Sequence, residues 1–469
     1  MANTIKSGLF WSAIDTVGVQ LVTFAIGIVL ARLLSPSEFG IIGMVTVFIA
    51  VSNVFVSSGF SDALMRRETL NNSDLNTVFW FNLGMSILLY FVLFFSSEMI
   101  ANYFSTPSLN VIVKVLALGL VFNGLVLVQN VIITKAMNFK LLAKVSIFAS
   151  IGSGIFAIVL AYQDYGVWAL VFKTLLAQVI TLICIWWISK WAPKMEFSIS
   201  SFRKLFGFGS RLLVLGIINT LYNNIYYLII GKIYAPAELG LYTRAESLKN
   251  LPSKTITGIV QKVSYPALAK IQSDKVLLRT TYVKLIKNTM FIALFGMLLL
   301  ASMAKPFVEL LMGTEWSGAG VYLEILCFTG FFIPLDALNT NILKIMNRSD
   351  LILKVGVWRK LIGVPVIVTA IYWGILPMLY LLVIHRFLSF LLISNYSKAF
   401  IGYGTFDQLK DISPFLIMNL VLFVCVKAIS SIWLVNNFIH INISILVFVI
   451  GWIVVIKCFK INLIELFKF

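Results

Sequence analysis

The sequence is divided into a series of long apolar segments, each close to the length that a helix needs to cross a lipid bilayer. About 20 mostly apolar residues span the hydrocarbon core, and a window of that length predicts fourteen membrane helices. Hydrophobic residues make up 60% of the chain and charged residues 12%, roughly half of the charged share in soluble domains. So few polar residues cannot cover a water-exposed surface, which excludes a soluble enzyme, a disordered chain and a disulfide-rich secreted module. The pattern predicts an all-α polytopic membrane protein.

The predicted spans follow one another along the whole chain. The apolar run after Lys6 has no small-residue cleavage site, so we interpret it as a first membrane helix rather than a signal peptide. The eighth span is the least regular, because it contains Arg244, Glu246, Lys249 and Lys254. The fourteen spans are residues 10–33, 40–64, 76–98, 110–134, 141–161, 166–189, 208–231, 240–263, 284–304, 319–344, 352–373, 376–397, 413–434 and 438–457.

Lysine and arginine are distributed unevenly between the two sets of predicted loops. Cytoplasmic loops of membrane proteins carry an excess of these residues. With the N-terminus inside, 26 of the 37 basic residues fall on the cytoplasmic side. The outer loops around Ser105, Asp164 and Gly374 carry none. We therefore predict that both termini are cytoplasmic, and the net charge of +18 needs no nucleic-acid partner.

A short motif recurs at an offset of 200 residues, after the first and the seventh predicted span. The two copies read ARLLSPSEFG and GKIYAPAELG, and they align Pro36 with Pro236, Glu38 with Glu238 and Gly40 with Gly240. Proline ends a helix, glycine permits a tight turn, and glutamate can cap the next helix at its N-terminus. The motif is either one recurrent hairpin turn or the mark of an internal repeat.

An internal repeat would define the domain organisation. Both copies follow odd-numbered helices, so the two chain segments cross the membrane in the same direction and form a parallel pseudo-repeat. We predict a six-helix bundle at residues 1–200, a second six-helix bundle at 201–400 and two further transmembrane helices at 401–469. A substrate would then bind in a central cleft between the bundles.

Four stretches of the chain resemble bacterial polysaccharide exporters. They are IKSGLFWSAID at residues 5–15, LARLLSPSEFGIIGM at 30–44, PAELGLYTRA at 236–245 and LLMGTEWSGAG at 310–320. On these stretches the chain is similar to the Wzx-type lipid-linked oligosaccharide flippases of the MOP superfamily, which also contains MurJ and the MATE drug exporters. The resemblance extends from residue 5 to about residue 400, but its motifs are turn and helix-end signals.

The resemblance implies a transporter of the bacterial inner membrane and no enzymatic activity. Such a flippase moves an undecaprenyl-diphosphate-linked oligosaccharide repeat unit from the inner to the outer leaflet, for O-antigen, capsule or exopolysaccharide assembly. A polysaccharide polymerase and a chain-length regulator are the partners it implies. No catalytic residue is carried over from the family, because the quoted motifs contain none.

Charged residues within the predicted spans indicate where a substrate could bind. A lysine or arginine at the bilayer centre costs about 2.5–3.5 kcal/mol on insertion scales, so such residues usually face a cavity or a partner. The eighth span carries three cations, and Pro252 between them predicts a kink. A cationic cleft suits a diphosphate, whose oxygens accept charge-assisted hydrogen bonds. The candidate binding residues are Arg244, Lys249, Lys254, Arg211, Lys173 and Arg386.

Other polar residues of the predicted spans, Asp15 and Asp336 among them, are not assigned to the binding site. In the aligned repeat Arg211 corresponds to Trp11, one helical turn from Asp15. Asp15 and Arg211 could therefore form a gate pair at the inner mouth, or they could be a static ion pair or two solvated helix ends. We interpret Asp336 as solvated near the inner face. The two histidines and the four cysteines stand apart from one another at no metal-ligand spacing, so we expect no metal site and no cofactor.

The mechanism expected is alternating access, in which two bundles rock about a central site. An inside-negative membrane potential would favour export of an anion, with about 2.3 kcal/mol per charge at 100 mV, and coupling to a proton or sodium gradient is equally compatible with the sequence. One alternative is a MATE-like cation or drug antiporter, which would need acidic residues in its cavity. Another is a membrane-embedded polymerase, ligase or acyltransferase, against which the short outer loops argue.

Overall fold

The described part of the chain is helical, and no strand occurs in it. The computed structural model describes residues 2–57, 59–67, 70–432 and 436–458. The chain divides into two compact units, Met1–Gly240 and Leu241–Phe469. The first unit contains α1 (Ala2–Leu33), α2 (Pro36–Ser57), α3 (Phe60–Arg66), α4 (Asn72–Tyr103), α5 (Leu109–Lys135), α6 (Phe139–Tyr162), α7 (Val167–Ile188) and α8 (Ile199–Ile233).

The helix α9 (Pro236–Lys270) begins in the first unit and continues into the second. A 3₁₀ turn at Thr314–Trp316 joins α11 to α12. The other helices of the second unit are α10 (Lys275–Ser302), α11 (Ala304–Met312), α12 (Ser317–Gly330), α13 (Phe332–Ile345), α14 (Ser349–Ile362), α15 (Val364–Tyr372), α16 (Ile375–Ile401), α17 (Thr405–Ile432) and α18 (Asn437–Cys458).

Helices occupy all fourteen predicted spans, although not all of them meet the length and hydropathy expected of a membrane helix. Among the described residues, 11 helices are long and apolar enough to cross a membrane. The predicted spans without such a helix are the eighth and the eleventh, which correspond to α9 and the pair α14–α15. In the first span, the apolar helix that this comparison covers is the shorter segment Val17–Leu33 of α1. The all-helical membrane fold is confirmed, whereas the count of fourteen spans and the domain boundaries at residues 200 and 400 stay predictions.

In the described residues, three predicted spans are divided between two helices. Span 40–64 is divided between α2 and α3, and span 319–344 between α12 and α13. Residues 352–373 form α14 and α15, which meet at Gly363. Pro365 stands in the first turn of α15 and has no backbone N–H to continue the hydrogen-bond ladder of α14. The expectation of one continuous helix is therefore wrong at this point.

In the first unit, α1 packs against α6, α6 against α7, α4 against α5, and α2 against α8. The turn between α1 and α2 is held by the motif glutamate. Glu38 Oε2 accepts hydrogen bonds from the backbone N–H of Ser35 at 2.7 Å and from its hydroxyl at 3.0 Å. These bonds close the first turn of α2 and bring a carboxylate to the positive end of the helix dipole. Pro36 begins α2, and Pro236 begins α9 in the same way.

The two copies of the turn motif contact each other through their glycines. A Cβ built on Gly40 would lie 1.7 Å from the carbonyl oxygen of Pro236, and a Cβ built on Gly240 would lie 1.8 Å from the carbonyl oxygen of Pro36. The contact is thus reciprocal, and only a residue without a side chain allows the backbones to approach so closely. The sequence predicted the turns but not their mutual contact.

In the second unit, the last two helices pack onto the helices that precede them. The rings of Phe291 on α10 and Trp452 on α18 are stacked, with centroids 4.7 Å apart. Lys427 Nζ on α17 lies 2.6 Å from Glu324 Oε2 on α12, and Asn437 Nδ2 donates to Glu309 at 3.0 Å. Apolar and ionic contacts together hold α17 and α18 to this unit.

Candidate functional site

Helix α9 carries the charges that singled out the eighth predicted span. The helix continues through Pro252, whose ring nitrogen cannot donate to the carbonyl of residue 248 one turn earlier. Lys249 is the most enclosed of the charged residues on this helix, with 5% of its surface exposed. Among the described residues it forms no hydrogen bond or direct ion pair, although Glu246 and Arg386 lie within electrostatic range of it.

A second group of charges lies on α13, α14 and α16. Arg359 Nη2 lies 2.8 Å from Asp336 Oδ1, and the same nitrogen donates to the backbone carbonyl of Ser389 at 3.2 Å. His385 Nε2 lies 2.9 Å from the backbone carbonyl of Arg359. The side chains of Asp336 and Arg359 are only 13% and 23% exposed. These contacts fix the Arg359 guanidinium beside a buried carboxylate.

Arg386 joins the two groups. It lies within electrostatic range of Lys249 on α9 and of Asp336 on α13. Its Nε is buried and has no hydrogen-bond partner in the part of the chain that the structure describes. We call the four residues Lys249, Asp336, Arg359 and Arg386 the basic cluster. It holds three cations and one carboxylate, all within the second unit.

The composition of the basic cluster determines which ligands it can hold. The three cations still outnumber the two carboxylates within electrostatic range of them, Asp336 and Glu246. Their burial is unfavourable unless a further anion or water reaches them. Lysine and arginine both donate charge-assisted hydrogen bonds to phosphate oxygens, so the cluster is suited to an anion. In the described residues no group of three or more His, Cys, Asp and Glu side chains is placed to hold a metal ion.

The predicted binding residues fall into three groups. Lys249 and Arg386 are brought together, and Lys254 lies within electrostatic range of Lys249 but is exposed. Arg244 is half-buried on the same helix α9, and Lys173 is half-buried on α7 in the first unit. The predicted gate pair of Asp15 and Arg211 lies on α1 and α8, but these two side chains are outside the described residues.

Sequence reasoning missed two members of the basic cluster. Arg359 is one of the 26 basic residues that the sequence places on the cytoplasmic side, and it is not among the predicted binding residues. The interpretation of Asp336 as a solvated residue is wrong, because its carboxylate pairs with Arg359 and its side chain is 13% exposed. A signal was available, since opposite charges occur in adjacent predicted spans, where either charge alone would be unfavourable. That signal does not show which helix faces are in contact.

The sequence and the fold can be compared with those of known proteins. The sequence profile of a family described as "Polysaccharide biosynthesis protein" matches residues 29–321, which is more than half of the chain. The chain belongs to this family of polysaccharide biosynthesis proteins. The predicted kinship with polysaccharide exporters is thereby confirmed at the level of the family.

Several relatives with similar sequences are named as biosynthesis or transport proteins of polysaccharides. The chain is 27% identical to the lipopolysaccharide biosynthesis protein WzxC of Escherichia coli (strain K12), over 77% of this chain and 74% of that one. It is 25% identical to the teichuronic acid biosynthesis protein TuaB of Bacillus subtilis (strain 168), over 74% and 72%. It is 23% identical to the succinoglycan biosynthesis transport protein ExoT of Rhizobium meliloti (strain 1021), over 71% and 68%.

Solved structures show the same fold at lower sequence identity. The lipid II flippase MurJ in an inward closed conformation matches with a TM-score of 0.77 and 15% identity, over 96% of this chain and 99% of that one. An inward-facing MATE family multidrug transporter of the MOP superfamily matches with a TM-score of 0.65 and 17% identity, over 82% and 94%. This polysaccharide biosynthesis protein therefore has the fold of the MOP superfamily.

Proposed function

We propose that the chain is a flippase that moves an undecaprenyl-diphosphate-linked oligosaccharide from the inner to the outer leaflet of the bacterial inner membrane. The observation that carries the proposal is the basic cluster, because buried cations inside an apolar helical protein need an anionic counterpart. A diphosphate linkage supplies such a counterpart. Lys249 and Arg386 are the two residues to which we assign contact with the diphosphate.

The comparisons support a transporter rather than an enzyme. The relatives are named for the biosynthesis of surface polysaccharides, and ExoT is named as a transport protein. A solved structure that shares the fold over nearly the whole chain is a flippase of lipid II. Assembly of O-antigen, capsule or exopolysaccharide is the process we assign, with a polysaccharide polymerase and a chain-length regulator as downstream partners.

The proposed mechanism is alternating access about the cleft between two six-helix bundles at residues 1–200 and 201–400. The anionic headgroup enters from the cytoplasm, while the lipid tail stays in the bilayer. An inside-negative membrane potential favours outward movement of the anion, and an inward flux of protons or sodium ions is an alternative source of energy. Arg211 with Asp15, and also Arg244, Lys173 and Lys254, remain candidate contributors to this path.

A MATE-like cation or drug antiporter is the rival function that the fold permits. A cationic substrate needs acidic side chains where it binds, because opposite charges must compensate each other in a buried site. The basic cluster has the opposite sign. Drug-resistance assays in a host without its own efflux pumps distinguish the two functions, since the flippase should confer no resistance.

The first test removes the cations of the basic cluster. We expect Lys249→Ala and Arg386→Ala each to lower the rate of flipping of a fluorescent polyprenyl-diphosphate sugar in proteoliposomes by about 10- to 100-fold, because a hydrogen bond to a charged group contributes about 1.5–3 kcal/mol. Lys344→Ala, which removes an exposed lysine of α13, is the matched control and should leave the rate unchanged. Wild-type rates in both cluster variants at equal incorporation would remove the binding assignment.

The second test concerns orientation. We expect alkaline phosphatase to be active when it is fused in the loop at Gly374 and inactive when it is fused at Lys194, because basic loops remain in the cytoplasm. A fluorescent protein should show the reverse pattern at these two positions. The opposite result would place both termini outside and would reverse the direction of the proposed transport.

A further inference from the structure

A groove of the second unit lies apart from the basic cluster, at the start of α10 and the end of α16. Its volume is about 620 Å³, and its lining includes the cations Lys275 and Arg279 of α10. These two residues are four positions apart on α10, so they lie on the same helix face. The apolar part of the lining comes from Val276 and Val283 on the same helix and from Phe400 and Ile401 at the end of α16.

The cations of the groove have no anionic partner among the described residues. Asp274 precedes Lys275, but its carboxylate caps α10 by accepting hydrogen bonds from the backbone of Val276 and Leu277, each at 3.0 Å. Arg348 lies over the ring of Phe400 at 5.7 Å, and its own charge is paired with Asp350 at 2.7 Å. In the described residues the groove therefore combines two cations that have no anionic partner, Lys275 and Arg279, with an apolar lining.

The end of α16 lies next to the guanidinium of Arg279. Gly402 ends α16 with a φ of +63°, a left-handed conformation that favours glycine. Arg279 Nη1 is 3.8 Å from the position that a Cβ on Gly402 would take, which is an ordinary van der Waals distance. The turn after α16 therefore contacts the cationic side of α10.

We propose that this groove binds the phosphate headgroup of an anionic phospholipid. The headgroup lies between Lys275 and Arg279, and the glycerol with the first part of an acyl chain lies against Val276, Val283 and Phe400. A free phosphate would use only the cations, whereas the apolar lining requires a ligand that also has an apolar part. Basic pockets between membrane helices at the cytoplasmic face are typical sites for anionic lipids.

The lipid site does not depend on the transport activity. Its assignment to the cytoplasmic leaflet rests on the proposed orientation, in which the turn from α9 to α10 faces the cytoplasm. Binding itself rests only on the charges and the shape of the groove. A lipid in this position would hold the end of α16 to the beginning of α10.

The experiment measures lipid binding by the full-length purified protein. We expect short-chain phosphatidylglycerol to bind at least tenfold more tightly than short-chain phosphatidylcholine, with native mass spectrometry as the readout. Lys275→Gln/Arg279→Gln should abolish this preference, because these two cations supply the attraction of the groove for an anionic headgroup. The matched control is Lys344→Gln/Lys354→Gln, which removes the same charge from exposed positions on α13 and α14 and should preserve the preference.

A third variant tests the shape of the groove without changing its charge. Thr280→Trp fills the groove from an exposed position whose hydroxyl bonds only to its own helix backbone, and it should weaken phosphatidylglycerol binding as well. Unchanged binding in both the charge variant and Thr280→Trp would overturn the site. Equal competition by inorganic phosphate would overturn the lipid assignment, and stronger competition by undecaprenyl phosphate would assign the groove to the substrate instead.

Discussion

Replacing Gly40 by alanine is expected to abolish transport and to destabilise the protein by about 3 kcal/mol or more, which is the upper end of the range for overpacking a well-packed contact. The added methyl group would lie 1.7 Å from the carbonyl oxygen of Pro236. That oxygen belongs to the backbone, so no side-chain rotation can relieve the overlap. An ordinary van der Waals distance begins at 3.4 Å, so the start of α9 must move away from α2 by about 1.7 Å (3.4 − 1.7) or more.

The direction of this effect is opposite to the intrinsic preference of a helix. Glycine in a helix interior is less stable than alanine by roughly 0.5–1 kcal/mol, so any loss of stability in Gly40→Ala must come from the contact. Gly84→Ala on α4 is the matched control, because no atom lies within 4 Å of its added Cβ. We expect this control to be as stable as the wild type or slightly more stable, and to transport normally.

The reciprocal geometry gives the prediction a second part. Gly240→Ala should resemble Gly40→Ala, because its Cβ would lie 1.8 Å from the carbonyl oxygen of Pro36. The double variant should be less destabilised than the sum of the single variants, since one displacement of the backbones relieves both overlaps. The measurements are thermal unfolding in detergent and flipping in proteoliposomes. Additive losses, or a normal melting temperature in both single variants, would contradict a shared contact.

The expected loss of transport follows from the proposed mechanism. The two turns of the motif occupy corresponding positions of the predicted repeat, and their glycines lie against each other's backbone. In alternating access each moving part behaves largely as a rigid body. A methyl group in the contact displaces the start of α9 from α2 within the first unit, and it should therefore reduce the rate even in protein that remains folded.

The sequence predicted the helices well because apolar length is a local property. Every predicted span is occupied by helix, including α9, although its charged residues Arg244, Glu246, Lys249 and Lys254 lower its hydropathy. The division of span 352–373 into α14 and α15 was missed, even though Gly363 and Pro365 were present in the sequence. A glycine and a proline together are a stronger helix-ending signal than the apolar run around them.

The candidate site was only half predictable. The low dielectric of the bilayer predicted that Lys249 and Arg386 would each need a cavity or a partner, but these residues are far apart in sequence, and only the fold places them together. The same is true of Gly40 and Gly240, whose motif predicts a turn in each copy. Contacts between distant helices depend on tertiary packing, which helix periodicity does not specify.

The second large expected effect is a loss of stability when the ion pair between Asp336 and Arg359 is broken. We expect Asp336→Asn to destabilise the protein by about 3–5 kcal/mol, because removal of one partner from a buried pair leaves the other charge uncompensated. Arg359 and Arg386, which both lie within electrostatic range of Asp336, would then lose the carboxylate that offsets them. Asp350→Asn is the matched control, since it makes the same substitution in an exposed pair with Arg348, and it should leave the melting temperature unchanged.

Two further variants distinguish the contribution of the ion pair itself from the cost of leaving one buried charge without its partner. Arg359→Met should destabilise less than Asp336→Asn, because Arg386 remains within electrostatic range of the Asp336 carboxylate. Asp336→Leu/Arg359→Met should recover stability to within about 1–2 kcal/mol of the wild type, since apolar residues often replace a buried ion pair without loss. Chemical unfolding of the protein in detergent measures all three differences.

If the double variant is less stable than Asp336→Asn, the pair itself stabilises the fold and the explanation by uncompensated charge is wrong. If the double variant is stable but still transports at the wild-type rate, Arg359 and Asp336 serve the fold alone, and contact with the anion rests on Lys249 and Arg386.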